Sequence, residues 1–292
     1  MSKYCVGVDF GTLSARALVA EVGTGKEVAS ADMDYPHGVM DNCLMDGTPL
    51  KPDWALQHPG DYIECLGYVV PEALRRARVS PEQVVGMGID FTSCTLIPVD
   101  GQGMPLCMRG EYAQNPHAYV KLWKHHAAQE QANRMNEVAQ RRNEAFFPRY
   151  GGKISSEWLF PKVWQTLEEA PEIYRAADAF VEAADWVIFR LTGQKTRSEC
   201  ALGYKALYRK GAGFPDSGYF RALDQRLERV VEEKLGGEIL PLGAKAGEIT
   251  PEAARLTGLL PGTAVAVANV DAHVSVPAAG ITSPGTLLMI IG

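Results

Sequence analysis

The sequence has no cysteines in C-x-x-C spacing, no apolar run near the roughly 20 residues that span a bilayer, and no excess of basic charge. Each absence removes a class of protein. Its six cysteines (Cys5, Cys43, Cys65, Cys94, Cys107 and Cys200) form no paired framework, which argues against disulfide scaffolds and cysteine-based zinc sites. Cys5 and Cys94 sit in apolar, strand-like runs, so buried free thiols are expected. With 29 Lys and Arg against 35 Asp and Glu, the net charge of −6 argues against a nucleic-acid backbone binder but leaves room for one small anionic ligand. Repeats, low-complexity segments and obvious linkers are also missing. The start, Met1-Ser2-Lys3 followed at once by a strand, carries no leader pattern. A soluble, cytoplasmic protein with no membrane contact is expected.

What is present is a core-forming composition, 46% hydrophobic and 22% charged over 292 residues, enough for one or two domains. The most informative segment comes early: Gly7-Val8-Asp9-Phe10-Gly11-Thr12-Leu13-Ser14-Ala15-Arg16. An apolar strand delivers Asp9 into a glycine turn, followed by hydroxyls and an arginine. Asp9 offers a hard oxygen to a divalent cation. Gly11 lets backbone approach an anion, and the amides and hydroxyls of Thr12 and Ser14 can donate to phosphate. A plain β-hairpin turn explains the same residues.

Residues 4–9, 14–22 and 26–34 read as three hairpin strands. Gly25-Lys26 lacks the first glycine and the Ser/Thr of a P-loop and reads as a turn. Residues 35–58 form a long loop, and 60–78 a helix that Pro71 should kink. Val84 to Phe91 is a buried strand that Thr95 to Val99 pairs with or continues. The region from about 112 to 235 reads as helical and strand-free. It includes a helix capped at Ser155/Ser156 and interrupted at Pro161, one over 182–191 closed by Gly193, and one over 219–234. Thr250-Pro251 starts a further helix. Ala264 to Val270 is a strand, Asp271 to Ala279 a helix, and a last strand runs from Thr286. The expected organisation is an α/β core over about 1–111 and 236–292, with the helical region inserted.

Four further segments can carry chemistry, each with a plainer alternative. Asp271 ends a buried strand where open α/β sheets bind ligands, or it caps the next helix. Asp90-Phe91-Thr92-Ser93-Cys94-Thr95 can hydrogen-bond a polyol, or simply turn the chain. Lys205, in Gly203-Tyr204-Lys205-Ala206-Leu207, can donate to a sugar hydroxyl, or be an ordinary surface lysine. Trp54, Trp123, Trp158, Trp164 and Trp186 can stack on a sugar, though most read as packing residues. His125 and His126 diverge by about 100° on a helix. His37, His58, His117 and His273 show no ligand spacing, so no metal site is expected beyond Mg²⁺ carried by a nucleotide.

Together these segments resemble the FGGY carbohydrate kinases of the actin-like, ribonuclease H-like ATPase superfamily. Asp9–Arg16 matches the first phosphate motif, D-x-G-T-x-S-x-R, at every fixed position. Val270-Asp271-Ala272-His273 matches the place of the catalytic aspartate. The 90–95, 203–207 and 269–273 segments resemble the bacterial L-ribulokinase subgroup. The resemblance implies a mixed-sheet domain with three N-terminal hairpin strands. It also implies ATP-dependent phosphorylation of L-ribulose at O5, in L-arabinose catabolism. Asp271 would be the general base and Asp9 would position Mg²⁺. Gly11, Thr12, Ser14 and Arg16 would serve the phosphates of ATP, while Ser93, Lys205 and Asp271 would hold the sugar. Ser93 departs from the alanine expected there, so its contact would run through backbone. A xylulose, glycerol or other polyol kinase and a non-catalytic sugar-binding module are the alternatives. In the family a Thr-Ser pair and an ATP-binding domain follow the Leu-Met-Ile-Ile-Gly strand that closes this sequence. The expectation is therefore an N-terminal half, inactive alone, whose partner is its own C-terminal domain and whose exposed apolar face allows self-association.

Overall fold

The computed structural model describes residues 2–290. Strict alternation builds the first strands, β1 (Tyr4–Phe10), β2 (Ser14–Glu21) and β3 (Glu27–Asp34). On β1, Val6, Val8 and Phe10 turn inward while Gly7 and Asp9 face outward, the period of two that a half-covered sheet requires. The three strands pair antiparallel in succession, and Gly25 at φ +69° closes the second turn. The long loop ends in β4 (Leu56–Gln57), and α1 (Pro59–Ala77) follows. His58 caps α1 by accepting the Gly60 amide, and Tyr62, Leu66, Val69, Val70 and Ala73 bury one face. The helix continues through Pro71 as one element of 19 residues.

Next come β5 (Val84–Phe91), β6 (Leu96–Val99), β7 (Val120–Lys121), α2 (Gln129–Arg141), α3 (Leu159–Glu169), α4 (Pro171–Ala176), β8 (Ala179–Glu182) and α5 (Ala183–Thr192). The chain continues with β9 (Thr196–Ser198), α6 (Glu199–Lys205), α7 (Ser217–Leu223), α8 (Val230–Lys234), β10 (Glu238–Leu240), β11 (Lys245–Glu248), α9 (Pro251–Thr257), β12 (Ala264–Ala266), β13 (Asn269–Val270) and α10 (Asp271–Ala278). The main sheet runs β11-β12-β5-β1-β2-β3, with β13 also on β5. The β12–β5, β13–β5 and β5–β1 pairings are parallel and the β11–β12, β1–β2 and β2–β3 pairings antiparallel, the expected mixed sheet. Residues of α1, α5 and α9 close its inner face into one core. A second core gathers Trp54, Leu96, Phe160, Trp164, Phe180 and Tyr219 around a small sheet, β4-β7-β6-β8. Among the described residues no helix is long and apolar enough to cross a membrane.

Several expectations need correction. The middle region is not strand-free, since β7, β8 and β9 lie in it, and α5 packs into the main core. Segment Leu96–Val99 neither pairs with nor continues β5; it leaves for the second sheet. Pro161 does not interrupt its helix, because α3 begins at Leu159 and proline is tolerated in a first turn. The helix over 219–234 is broken at Asp224, whose side chain caps a short 3-10 turn before α8. The strand at 264–270 is two short pieces on β5. Residues 286–290 form no strand, and positions 291–292 lie outside the described residues.

Candidate active site

The register of the main sheet assembles the site. Asp9 is the cross-strand partner of both Arg16 and Asp90; Arg16 also pairs with Asp32, and Asp90 with Asn269. Directly opposed residues share a face, so a row Asp32–Arg16–Asp9–Asp90–Asn269 crosses five strands on the side away from the helices. Asp271 follows on the first turn of α10. It is not a side-chain cap of that helix; its Oδ1 accepts the adjacent Ala272 amide at 2.6 Å.

Three carboxylates therefore meet at one sheet edge. Burial, reinforced by the facing charges of Asp9 and Asp271, pushes the Asp90 carboxyl up to about 8. Burial and the charge of Asp9 also raise Asp271, against the pull of Lys205 and His273. Hard oxygens with unbalanced negative charge suit a small divalent cation, so the donor set fits Mg²⁺.

The Gly11–Ser14 turn is a hairpin turn as well as the motif-bearing segment, closed by the Gly11 amide on Ser14 O at 3.0 Å. Three other segments pin it. Tyr35 Oη donates to Gly11 O at 3.1 Å, Gln57 Nε2 to Thr12 O at 2.8 Å, and Trp123 Nε1 to Thr12 Oγ1 at 3.0 Å. The indole uses a lone pair of the Thr12 hydroxyl and leaves its proton free to donate outward. Gly11 is not in the left-handed region, and a Cβ there would meet only Ser14 O at 3.4 Å.

The Ser93 segment forms a tight corner, with Cys94 at φ +62° and Thr92 Oγ1 2.8 Å from Thr95 Oγ1. Ser93 Oγ is buried without a hydrogen-bond partner. Beneath it, Lys162 is fully buried and its Nζ donates to Cys94 O at 2.7 Å and Leu122 O at 2.8 Å. One ammonium thus ties the Ser93 corner to the loop that presents Trp123. Burial brings the Lys162 ammonium down to about 8.

Lys205 is not a surface lysine. It is 8% exposed and bonds Glu157 Oε2 at 2.9 Å. Burial opposes its charge, but Cys94 and the Glu157 carboxylate outweigh burial and raise it. His273 lies against Tyr204 with the rings tilted by 57° and their centroids 4.6 Å apart, and its Nδ1 lies 3.0 Å from Cys200 Sγ. This joins α6, which carries Lys205, to α10, which carries Asp271.

All the sequence-predicted positions except Asp9 and Arg16 thus fall in the turn, the Ser93 corner or the α6–α10 junction. Asp9 stands on β1 beside Asp90, and Arg16 further along the same row, between Asp9 and Asp32. Sequence reasoning passed over Asp90 as a carboxylate partner, Trp123 as a holder of the turn, Glu157 and Lys162. Asp90 could have been found by the strand-end rule that found Asp9 and Asp271. The other three become visible only through tertiary contacts.

Comparison with known proteins is consistent with this geometry. The N-terminal domain model of the FGGY family of carbohydrate kinases matches residues 4–276. A "Ribulokinase" of Geobacillus thermodenitrificans is 55% identical over 291 residues, 99% of this chain and 51% of the relative. One of Bacillus licheniformis is 56% identical over 281 residues, 96% of this chain and 51% of the relative. The chain spans about half the length of the curated relatives it matches. Xylulose kinase from Rhodospirillum rubrum superposes with a TM-score of 0.75 at 21% identity, covering 97% of this chain and 52% of that one. That likeness bears out the expected fold.

Proposed function

Because this chain belongs to the FGGY family of carbohydrate kinases, we propose that it is the sugar-holding half of an ATP-dependent kinase that phosphorylates L-ribulose at O5. The observation that carries this reading is the meeting of Asp9, Asp90 and Asp271 at one sheet edge, with the Lys205–Glu157 pair beside them.

Asp271 is the general base. Its Oδ1 is occupied by the Ala272 amide, which leaves Oδ2 for the proton of the attacking sugar hydroxyl. Its raised proton affinity makes it a stronger base than an exposed aspartate. Lys205, charged and fixed by Glu157, donates to a sugar hydroxyl, and the unpartnered Ser93 Oγ accepts or donates another. Gly11, Thr12 and Ser14 face the transferred phosphate, with Arg16 as a more distant cation. Asp9 and Asp90 hold the Mg²⁺ that accompanies ATP, and that ion supplies positive charge where the phosphate oxygens gain negative charge. The residues do their work by positioning and charge rather than by covalent chemistry. In this reading the adenosine pocket belongs to a C-terminal domain, and closure of the two excludes water from the reacting atoms.

The test is a coupled ATP assay of the full-length protein over L-ribulose, xylulose and glycerol. Asp271→Asn should abolish turnover with the fold intact, and L-ribulose should give the highest kcat/KM. Retained turnover would remove Asp271 from its role, and a better polyol would replace L-ribulose.

A further inference from the structure

Beside the hairpin turn lies a cluster the kinase reading does not use. His37, at the start of the long loop, meets His58 and Asp61 at the start of α1, and ligand atoms of all three lie within 4.8 Å of one another. Sequence spacing gave no hint of this, because a long loop separates the two histidines. The geometry points to a zinc site here, held by His37, His58 and Asp61 with water completing the shell.

Four observations support it. Asp61 is 2% exposed, and its Oδ2 accepts the His37 amide at 3.0 Å, which fixes the carboxylate. Its Oδ1 faces both rings, 2.6 Å from His37 Nδ1 and 3.9 Å from His58 Nδ1. Neighbouring ligands on a tetrahedral zinc with bonds near 2.0 Å stand about 3.3 Å apart, between those two spacings. Among the described residues no lysine or arginine pairs with Asp61; its ion-pair partners are these two imidazoles. A buried carboxylate flanked by two imidazoles is a borderline donor set that suits zinc better than magnesium. Finally, the His37 side chain is 39% exposed and that of His58 18%, so the site has an entry path and room for water.

Two contacts compete: His58 Nδ1 accepts the Gly60 amide at 3.2 Å, and His37 Nδ1 and Asp61 Oδ1 share a hydrogen bond at 2.6 Å; zinc at these atoms would displace both, with loss of the shared proton. The ion would tie the loop start to the helix start. Those segments also carry Tyr35 and Gln57, which hold the Gly11 and Thr12 carbonyls. The site is thus a clamp on the turn from outside, and its existence does not depend on the kinase reading.

The test is a Zn²⁺ titration against a competing chelator, in excess Mg²⁺ to occupy the Asp9–Asp90 edge. Co²⁺ absorption of the unaltered protein serves as a second measurement. The expected result is one ion per chain, tetrahedral cobalt bands, and more than about tenfold weaker binding in His37→Ala and in Asp61→Asn. Two results would overturn the site: no stoichiometric binding by the unaltered protein, or binding that survives His37→Ala. Binding lost instead in Cys200→Ser or in Asp90→Asn would place the ion at His273 or at the acidic edge, and would overturn it equally.

Discussion

Two groups of charge flank the Ser93 corner, one at the sheet edge and one buried in the second core, and they are built on opposite plans. On the sheet edge, Asp9, Asp90 and Asp271 face one another with like charge, and Asp90 is driven up to about 8. In the second core, Lys162 and Lys121 are buried far more deeply, and their Nζ groups are surrounded by acceptors. Lys121 Nζ reaches Lys162 O, Gln165 Oε1 and Thr166 Oγ1, at 3.2, 2.8 and 2.8 Å. A fully hydrogen-bonded buried charge is scaffold; like charges left facing each other mark a place where a ligand completes the balance. The contrast tells which groups hold the site's shape and which await a partner.

The sharpest way to break the contrast is to remove a scaffold charge. Lys162→Met keeps the apolar stem but orphans the Cys94 carbonyl, while Leu122 O keeps the His125 amide at 2.9 Å. Two lost bonds to a charged donor, with one buried acceptor left unpaired, should cost about 3 kcal/mol, read as a lower denaturation midpoint. The loss should be similar with and without Mg²⁺. A neutral Lys162→Met would show that the ammonium does not hold the corner.

Removing a site charge should act in the opposite direction. Asp90 has a folded-state proton affinity above its unfolded value of about 3.8, with its carboxyl at about 8 in the fold. Between those pH values the folded chain binds the extra proton, so stability falls as pH rises from about 4 to about 8. Asp90→Asn should therefore melt higher than the parent at pH 8 and nearly level with it at pH 4. A gain of 1 kcal/mol would raise the melting temperature by roughly 2–4 °C in a chain of this size. Mg²⁺ should stabilise the parent at pH 8 and leave the variant less affected. Equal melting at both pH values would mean that the three carboxylates do not interact.

How far the sequence revealed this contrast depended on where each residue's partner lies. The hairpin strands were legible because alternation and turn glycines are local signals, and Asp9 and Asp271 because a strand end marks a ligand edge. Breaks at Asp224 and within 264–270 were not, since a short cap or a two-residue strand is settled by packing rather than by periodicity. Lys162 lies on a helix among apolar residues, and nothing local distinguishes it from a solvated lysine. The two carbonyls that claim it are 68 and 40 residues away. Likewise the His37–His58–Asp61 cluster depends on a loop whose path no propensity encodes.

The smallest expected effect on stability concerns the turn, where scaffold and site meet in one segment. Tyr35, Gln57 and Trp123 hold its backbone and the Thr12 hydroxyl from three sides, so its shape is scaffold. Gly11 is different. Its backbone does not use the left-handed region, and an added Cβ would be in ordinary contact with Ser14 O at 3.4 Å. Glycine is therefore not required for the turn to form; a bare surface there serves whatever approaches from outside. Gly11→Ala should change stability by less than about 1 kcal/mol, with an unfolded-state entropy gain offsetting the contact. In the full-length protein the same change should raise KM for ATP severalfold while KM for the sugar moves little. If the variant instead lost stability and left ATP kinetics unchanged, Gly11 would belong to the scaffold, and the phosphate would have to be sought elsewhere on the edge.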